Sequence, residues 1–220
     1  MNKISYLLLL SCISLMSMEI KQLPIKFEKL RVELTKEYIK SHYHLDVETI
    51  KIVPKIILIH HTAIDSFKDS IARFTPQSLP TDRPDIVKAG AVNVSTHFMI
   101  QRDGTINQLM PLDIMGRHVI GLNYNSIGIE NVGGESSNDN LTDEQLKSNI
   151  ELVKYLKSKF ETIEYVVGHY EYRCFEGHEL WLEKDDGYRT IKDDPSPRFM
   201  HELRENISGF KDVPCKVKND

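Results

Sequence analysis

The sequence has few cysteines and no strong excess of charge of either sign. Its 220 residues include 3 Cys, 11 Gly and 9 Pro. A chain of this length can bury a sizeable core, which excludes a disulfide-dense mini-protein, and its Gly and Pro content excludes a fibrous or low-complexity chain. With 28 Lys and Arg against 32 Asp and Glu, it also lacks the basic surplus that favours polyphosphate binding. We therefore expect one globular domain and no nucleic-acid partner.

The chain begins with an apolar segment that has the layout of a secretory signal. Lys3 precedes a run of leucines and a further apolar stretch, so we interpret residues 1–18 as a signal peptide. The segment is too short and too terminal for a stable membrane span, and its alternative is a buried N-terminal helix or strand. We expect cleavage near Ser17, with a lipid anchor through Cys12 as the second route. Either route predicts an exported protein, periplasmic or secreted.

Two cysteines, Cys174 and Cys215, remain after either processing route. Disulfides form and persist in the oxidising compartments that exported proteins reach. Spacing along the chain does not show whether two cysteines meet in space. The sequence therefore leaves open both a disulfide and a pair of free thiols.

Hydrophobic patterning predicts an α/β domain. Residues 21–46 carry apolar side chains at helical spacing, which predicts one or two amphipathic helices, by default on the solvated surface. Residues 55–59 are apolar on both faces and predict a central strand that is covered on both sides. The runs 97–100 and 105–109 flank an Asp-Gly turn, which indicates a β-hairpin.

The remaining pattern completes a single α/β domain in which helices flank a central mixed sheet. We predict a short helix at 65–74, a strand at 126–132, a capped helix from Thr142 to Phe160, a strand at 165–167 and a last helix from about 196 to 206. Gln145 lies three residues after Thr142, as a capping box requires.

Three possible metal ligands lie near predicted strand ends or before a proline. His60 follows one apolar strand directly, His169 follows another after one glycine, and Asp194 precedes Pro195. Ligands of α/β sheets bind outside the carboxyl ends of the strands. Two imidazoles and a carboxylate would give zinc three ligands and leave the fourth position to water. Because the three residues are far apart in sequence, the pattern alone leaves structural histidines as the alternative.

Five motifs, in order, resemble the zinc-dependent N-acetylmuramoyl-L-alanine amidases of the amidase-2 type. This family includes phage amidases similar to T7 lysozyme and the peptidoglycan recognition proteins. The motifs are Ile57-Leu58-Ile59-His60-His61-Thr62-Ala63, Arg102-Asp103-Gly104-Thr105, Asn125-Ser126-Ile127-Gly128-Ile129-Glu130, Gly168-His169 and Lys192-Asp193-Asp194-Pro195. The resemblance covers about residues 53–205 and implies a zinc cleft at the strand ends.

Carried over residue by residue, the resemblance implies that His60, His169 and Asp194 bind Zn²⁺. The family ligand follows the apolar strand directly, which favours His60 over His61, and side chains that alternate along a strand cannot both face the metal. Glu130 matches the catalytic glutamate, which would take a proton from the attacking water. Lys192 matches a basic residue that would stabilise the oxyanion.

His118 and Asn123 match a segment that contacts the sugar-peptide substrate in relatives, so the resemblance implies a role for both in binding substrate. The domain expectations are a signal peptide at 1–18, an N-terminal helical extension at 19–52, an amidase-2 type catalytic domain at 53–210 and a C-terminal tail at 211–220. We expect a monomer.

The activity that the resemblance implies is hydrolysis of the amide bond between N-acetylmuramic acid and L-alanine in peptidoglycan or muropeptides. One alternative is a receptor on the same fold that binds peptidoglycan without cleaving it. Another is a zinc amidase for a different acyl-amino-acid bond, since fold and metal do not fix the substrate.

Overall fold

The computed structural model describes residues 18–215. Nearly all of the predicted signal peptide, with Cys12 and Ser17, lies outside the described residues. Within 18–215, no helix is long and apolar enough to cross a membrane.

Six strands form one mixed sheet in the order β1-β4-β3-β5-β2-β6. They are β1 (Ile20–Gln22), β2 (Ile56–His61), β3 (Phe98–Ile100), β4 (Ile106–Gln108), β5 (Ser126–Asn131) and β6 (Tyr165–Gly168). Strands β3 and β4 pair antiparallel as the predicted hairpin, and all other neighbours pair parallel. The prediction of a single α/β domain with a central mixed sheet is confirmed.

Four α-helices flank this sheet: α1 (Lys29–Tyr43), α2 (Phe67–Phe74), α3 (Asp143–Lys159) and α4 (Pro197–Glu205). Helix α3 begins with the predicted capping box. The Thr142 side chain accepts the backbone N–H of Gln145, and the Gln145 side chain accepts that of Thr142. Helix α4 has Ser196 as its N-cap and Pro197 in its first turn. At the start of each helix, a capping side chain accepts a backbone N–H of the first turn that has no partner within the helix.

The two faces of β2 enter two different apolar clusters. Ile56 and Leu58 pack in the cluster that includes side chains of α1, whereas Ile57 and Ile59 pack with side chains of α3 and α4. All four are fully buried, as expected for a strand that is apolar on both faces. By the same alternation, His60 lies on the α1 face of the sheet.

The N-terminal segment differs from its prediction in two ways. Helix α1 is not a solvated surface helix, because Tyr38, Ile39 and Tyr43 are buried in the core. The buried Arg31 also donates hydrogen bonds from its guanidinium to backbone carbonyls, including that of Phe74. In addition, residues 20–22 form β1, which pairs parallel with β4. Three residues are too few for a strand periodicity to be recognised in the sequence.

A disulfide joins Cys174 to Cys215, with the Cα atoms 4.4 Å apart. Cys174 belongs to the 3₁₀ helix His169–Phe175, which directly follows β6. The structure therefore selects the paired state from the two that the sequence left open. The bond attaches the end of the described chain to the helix that begins with a predicted metal ligand.

We expect the double variant Cys174→Ser/Cys215→Ser to lose about 2–4 kcal/mol of unfolding free energy, because the bond closes a long loop and restricts the unfolded chain. The cysteines are separated by 41 positions. Denaturant unfolding of the oxidised protein and the variant would measure the difference, and the reduced wild-type protein should match the variant. Equal midpoints for all three samples would show that the disulfide does not stabilise the fold.

Candidate metal centre

The register of three neighbouring strands brings together side chains that are distant in sequence. His60 of β2 lies opposite Glu130 of the neighbouring strand β5. On the other side of β2, Ile59 lies opposite Gly168, so His169 follows at the level of His60. Since paired residues of parallel strands point to the same face, all three side chains lie on the α1 face. This row is at the carboxyl ends of the strands, where α/β sheets bind ligands.

The side chains of His60, His169 and Asp194 converge so that one donor atom of each lies within 4.8 Å of the others. His60 Nδ1 is 2.9 Å from His169 Nδ1 and 3.3 Å from Asp194 Oδ2, and the distance from His169 Nδ1 to Asp194 Oδ2 is 3.1 Å. Ligand atoms of a tetrahedral zinc ion are about 3.3 Å apart, given zinc–ligand distances of about 2.0–2.1 Å. The donor set and its spacing therefore fit a zinc ion.

Electrostatics favour, in His60 and Asp194, the protonation states that metal binding requires. Burial lowers the pKa of His60 to about 4, so its imidazole is neutral near pH 7. Burial by itself would raise the pKa of Asp194, but its interactions, of which those with His169 are the largest, outweigh burial and hold that pKa well below its usual range. A neutral imidazole and a carboxylate are the forms that bind divalent metals.

Asp194 is fixed by the backbone as well as by its side chain. Its carbonyl accepts a hydrogen bond from the N–H of Tyr170, 2.9 Å away, in the 3₁₀ helix that starts at His169. Tyr172, in the same helix, uses its hydroxyl to donate to the carbonyl of Thr190 and to accept the N–H of that residue. The segment that carries Lys192 and Asp194 is therefore attached to the helix that begins with His169.

Glu130 is buried beside the cluster. Its Oε2 has no hydrogen-bond partner among the residues that the structure describes. Burial, reinforced by the charge of Asp194, raises the pKa of Glu130 well above its usual value, although Lys192 and Arg83 oppose this shift. A raised pKa makes the ionised form of Glu130 a stronger base than an ordinary carboxylate, so in that form it can accept a proton from a molecule bound in the site.

His118 lies behind His60, on the side away from Asp194. Its Nδ1 is 3.0 Å from His60 Nε2, and its Nε2 is 3.3 Å from the hydroxyl of Ser126. Burial is the main reason that the pKa of His118 is well below its usual value, and the nearby His60 and His97 lower it further. The ring is therefore neutral, with one N–H and one acceptor nitrogen.

Asn123 is fully buried and supports the loop that carries His118. Its Oδ1 accepts the backbone N–H groups of His118 and Val119, both at 2.8 Å. The predicted contact of Asn123 with substrate stays a prediction, as does that of His118. The structure shows directly that Asn123 holds the backbone of His118 in position.

A cavity of about 450 Å³ opens over the cluster, and its lining contains all seven predicted site residues. Lys192 is half-buried on its wall, and no carboxylate within residues 18–215 forms a salt bridge with it. His61 lines the same cavity but does not belong to the metal cluster, and its ring lies against Gly134. The strand thus separates His60 from His61, as side-chain alternation predicts.

The structure combines an α/β domain with a His/His/Asp group that could hold a metal ion, and the comparisons identify the family. Residues 51–197 match the family model described as N-acetylmuramoyl-L-alanine amidase. This is more than half of the chain, and the chain belongs to the amidase-2 family.

Individual proteins are similar to this chain either over a shorter stretch or at a lower sequence identity. The endolysin of Escherichia phage T7 is 37% identical over 76 residues, which are 33% of this chain and 50% of that protein, so the match spans half the length of this relative. The endolysin amidase LysCS from Clostridium intestinale is 22% identical, with a TM-score of 0.50 over 86% of this chain and 97% of that chain. At this identity the likeness shows the fold alone.

The same fold also occurs in a peptidoglycan recognition protein. Peptidoglycan recognition protein LE, solved in complex with a monomeric peptidoglycan fragment, is 17% identical, with a TM-score of 0.50 over 74% of this chain and 86% of that chain. Fold similarity alone therefore does not separate an enzyme from a binding protein.

Sequence reasoning missed the contact between Ser126 and His118. Ser126 is at the start of β5 and His118 is in the preceding loop, so no helical or strand period relates them. The signal available was the closeness of the two residues in sequence, which does not specify a contact between their side chains.

Proposed function

We propose that this protein is a zinc-dependent amidase that hydrolyses the bond between N-acetylmuramic acid and L-alanine in peptidoglycan or muropeptides. The observation that carries the proposal is the complete cluster of His60, His169 and Asp194 beside a buried Glu130, whose Oε2 has no hydrogen-bond partner within residues 18–215. Membership of the amidase family and the names of the relatives support this bond as the substrate.

His60 Nδ1, His169 Nδ1 and an Asp194 carboxylate oxygen would hold the zinc ion. A zinc ion held there would polarise the amide carbonyl and make water a better nucleophile near neutral pH. Glu130 Oε2 accepts the proton of the attacking water and delivers it to the leaving amine. The ammonium of Lys192, on the cavity wall, stabilises the negative charge that develops on the carbonyl oxygen.

A receptor on this fold would need only the cavity, whereas hydrolysis also needs a metal and a proton acceptor. The chain has a ligand at each of the three metal positions and a carboxylate next to them. A carboxylate buried without a partner costs stability, which is difficult to explain if the protein only binds peptidoglycan. The metal centre therefore favours the enzyme.

We further propose that the protein acts outside the cytoplasm, in the periplasm or as a secreted protein. The disulfide between Cys174 and Cys215 supports this location, because such bonds persist in oxidising compartments and are rare in the cytosol. Peptidoglycan is accessible in the same compartments. Whether the mature protein is soluble or anchored through Cys12 can be read from the mass of its N-terminal peptide.

The test is incubation of the oxidised protein with purified sacculi, muropeptides and bare stem peptides. We expect zinc-loaded protein to release stem peptides with a free L-alanine amino group from sacculi or muropeptides, and chelated protein to release none. Binding to sacculi without release would identify a receptor. Cleavage of bare peptides alone would identify a zinc amidase for a different bond.

A further inference from the structure

We propose that His118, anchored by Ser126, is a positioning residue that holds His60 in the one tautomer whose Nδ1 can bind a metal. The inference rests on the proposed zinc site and extends it to residues beyond the ligands. His60, His118 and Ser126 form a buried chain of side-chain hydrogen bonds that continues to the backbone carbonyl of Leu122.

The last acceptor determines which atom donates in each hydrogen bond of this series. The carbonyl of Leu122 can only accept, and the Ser126 hydroxyl lies 2.9 Å from it, closer than the 3.3 Å to His118 Nε2. The hydroxyl hydrogen therefore points to Leu122, and the serine oxygen is left to accept the N–H of His118 Nε2. In a neutral imidazole the other nitrogen then carries a lone pair, so His118 Nδ1 is an acceptor.

His60 completes the chain. Its Nε2 is 3.0 Å from His118 Nδ1, which carries the lone pair, so the N–H of His60 must be on Nε2. Nδ1 of His60 is consequently free of hydrogen, and this is the atom that faces the donor atoms of His169 and Asp194. If each of these hydrogen bonds were donated in the opposite direction, the hydrogen of His60 would be on Nδ1, where it would prevent metal binding.

The surrounding backbone is shaped to hold the ring of His118. A Cβ at Gly128 would lie 2.9 Å from His118 Nδ1 and 2.8 Å from Thr96 Oγ1, closer than real Cβ contacts. Asn123 fixes the loop by accepting the N–H of His118. The position of the ring is therefore determined from both sides, as expected for a group that orients a metal ligand.

The first test compares Ser126→Ala with Ser70→Ala, each loaded with zinc alone. Ser70 is equally buried and its hydroxyl is directed at the carbonyl of Ile64, so its removal controls for the loss of a buried serine. We expect the zinc dissociation constant of Ser126→Ala, measured by competition with a chelator, to rise about 10-fold, and that of Ser70→Ala to stay unchanged. Equal constants for both variants would overturn the positioning role.

The second test asks whether an acceptor at position 118 is what matters. His118→Leu removes the acceptor, and we expect it to weaken zinc binding by about 10–100-fold, whereas His118→Gln offers an amide oxygen and should restore most of the affinity. If both variants bind zinc equally, the role of His118 is confined to packing. This pair also decides the matter if Ser126→Ala does not fold.

Nitrogen-15 NMR of the imidazoles reads the tautomer without reference to activity. In the zinc-loaded wild-type protein we expect hydrogen on Nε2 of both His60 and His118, and in Ser126→Ala we expect a tautomer mixture at His118. Hydrogen on Nδ1 of His118 in the zinc-loaded wild-type protein would overturn the inference. If the wild-type protein binds no zinc, the proposed function fails with it; if it binds zinc but releases no stem peptide, only the proposed reaction fails.

Discussion

We expect His60→Ala to lose zinc and peptidoglycan hydrolysis together, while the neighbouring variant His61→Ala keeps both. His60 contributes one of three converging donor atoms, and His61 lies outside the cluster although it is the next residue of β2. Loss of a ligand removes the polarisation of the amide carbonyl, which we expect to reduce the rate at least about 10³-fold. Metal analysis of the purified variants and release of stem peptides from sacculi would measure the two effects.

Asp193 and Asp194 provide an independent matched pair. Asp194→Ala should behave like His60→Ala, whereas Asp193→Ala removes an exposed carboxylate that accepts a hydrogen bond from the hydroxyl of Ser137 and should keep its zinc. Far-ultraviolet circular dichroism would show that all four variants are folded. Full activity of Asp194→Ala or His60→Ala in the presence of a chelator would contradict a zinc mechanism.

These matched pairs show what the sequence could predict. The alternation of side chains along β2 requires that His60 and His61 face opposite sides. The apolar residues before them indicate an interior strand that is covered on both faces. The capping box at Thr142 and the Asp-Gly turn located α3 and the hairpin by local rules alone. Local signals of this kind depend only on residues that are close in sequence, so they can be recognised in a single sequence.

Other features depend on the tertiary structure and could not be predicted in this way. The strand order of the sheet brings β6 next to β2, and only this pairing places His169 beside His60. The burial of α1 depends on what covers it, because Tyr38 and Tyr43 on a helix of mixed polarity indicate a core only when a partner is known. Similarly, the spacing of Cys174 and Cys215 contains no information about their distance in space.

The metal centre was predictable in part, through its resemblance to a family rather than through its pattern. Its donor residues are 109 and 25 positions apart, too far for spacing to indicate a ligand set. The roles of its neighbours follow from contacts instead. His118 is a candidate substrate residue in the sequence, but in the structure its ring contacts His60, which connects it to the metal ligand as well as to the cavity.

The second large effect is expected for Glu130→Gln, which should bind zinc normally and lose about 10²–10⁴-fold in rate. Glutamine has nearly the shape of glutamate but cannot accept the proton of the attacking water, and general-base catalysis contributes about this factor. Glu130 is not one of the three donor residues, so the metal should stay bound. Stem-peptide release and zinc content, measured on the same preparation, separate catalysis from metal binding.

Glu135→Gln is the control, because Glu135 is exposed and uses its carboxylate to accept the N–H of Asp65. It should keep zinc and activity. Removing the charge of Glu130 also removes the cost of burying a carboxylate, so we expect Glu130→Gln to unfold at the same or a higher denaturant concentration than the wild-type protein. A slow but more stable variant would indicate that this carboxylate is kept for its chemistry at the expense of stability. Unchanged turnover would instead exclude Glu130 from the reaction, and the proton acceptor would have to be another group in the cavity.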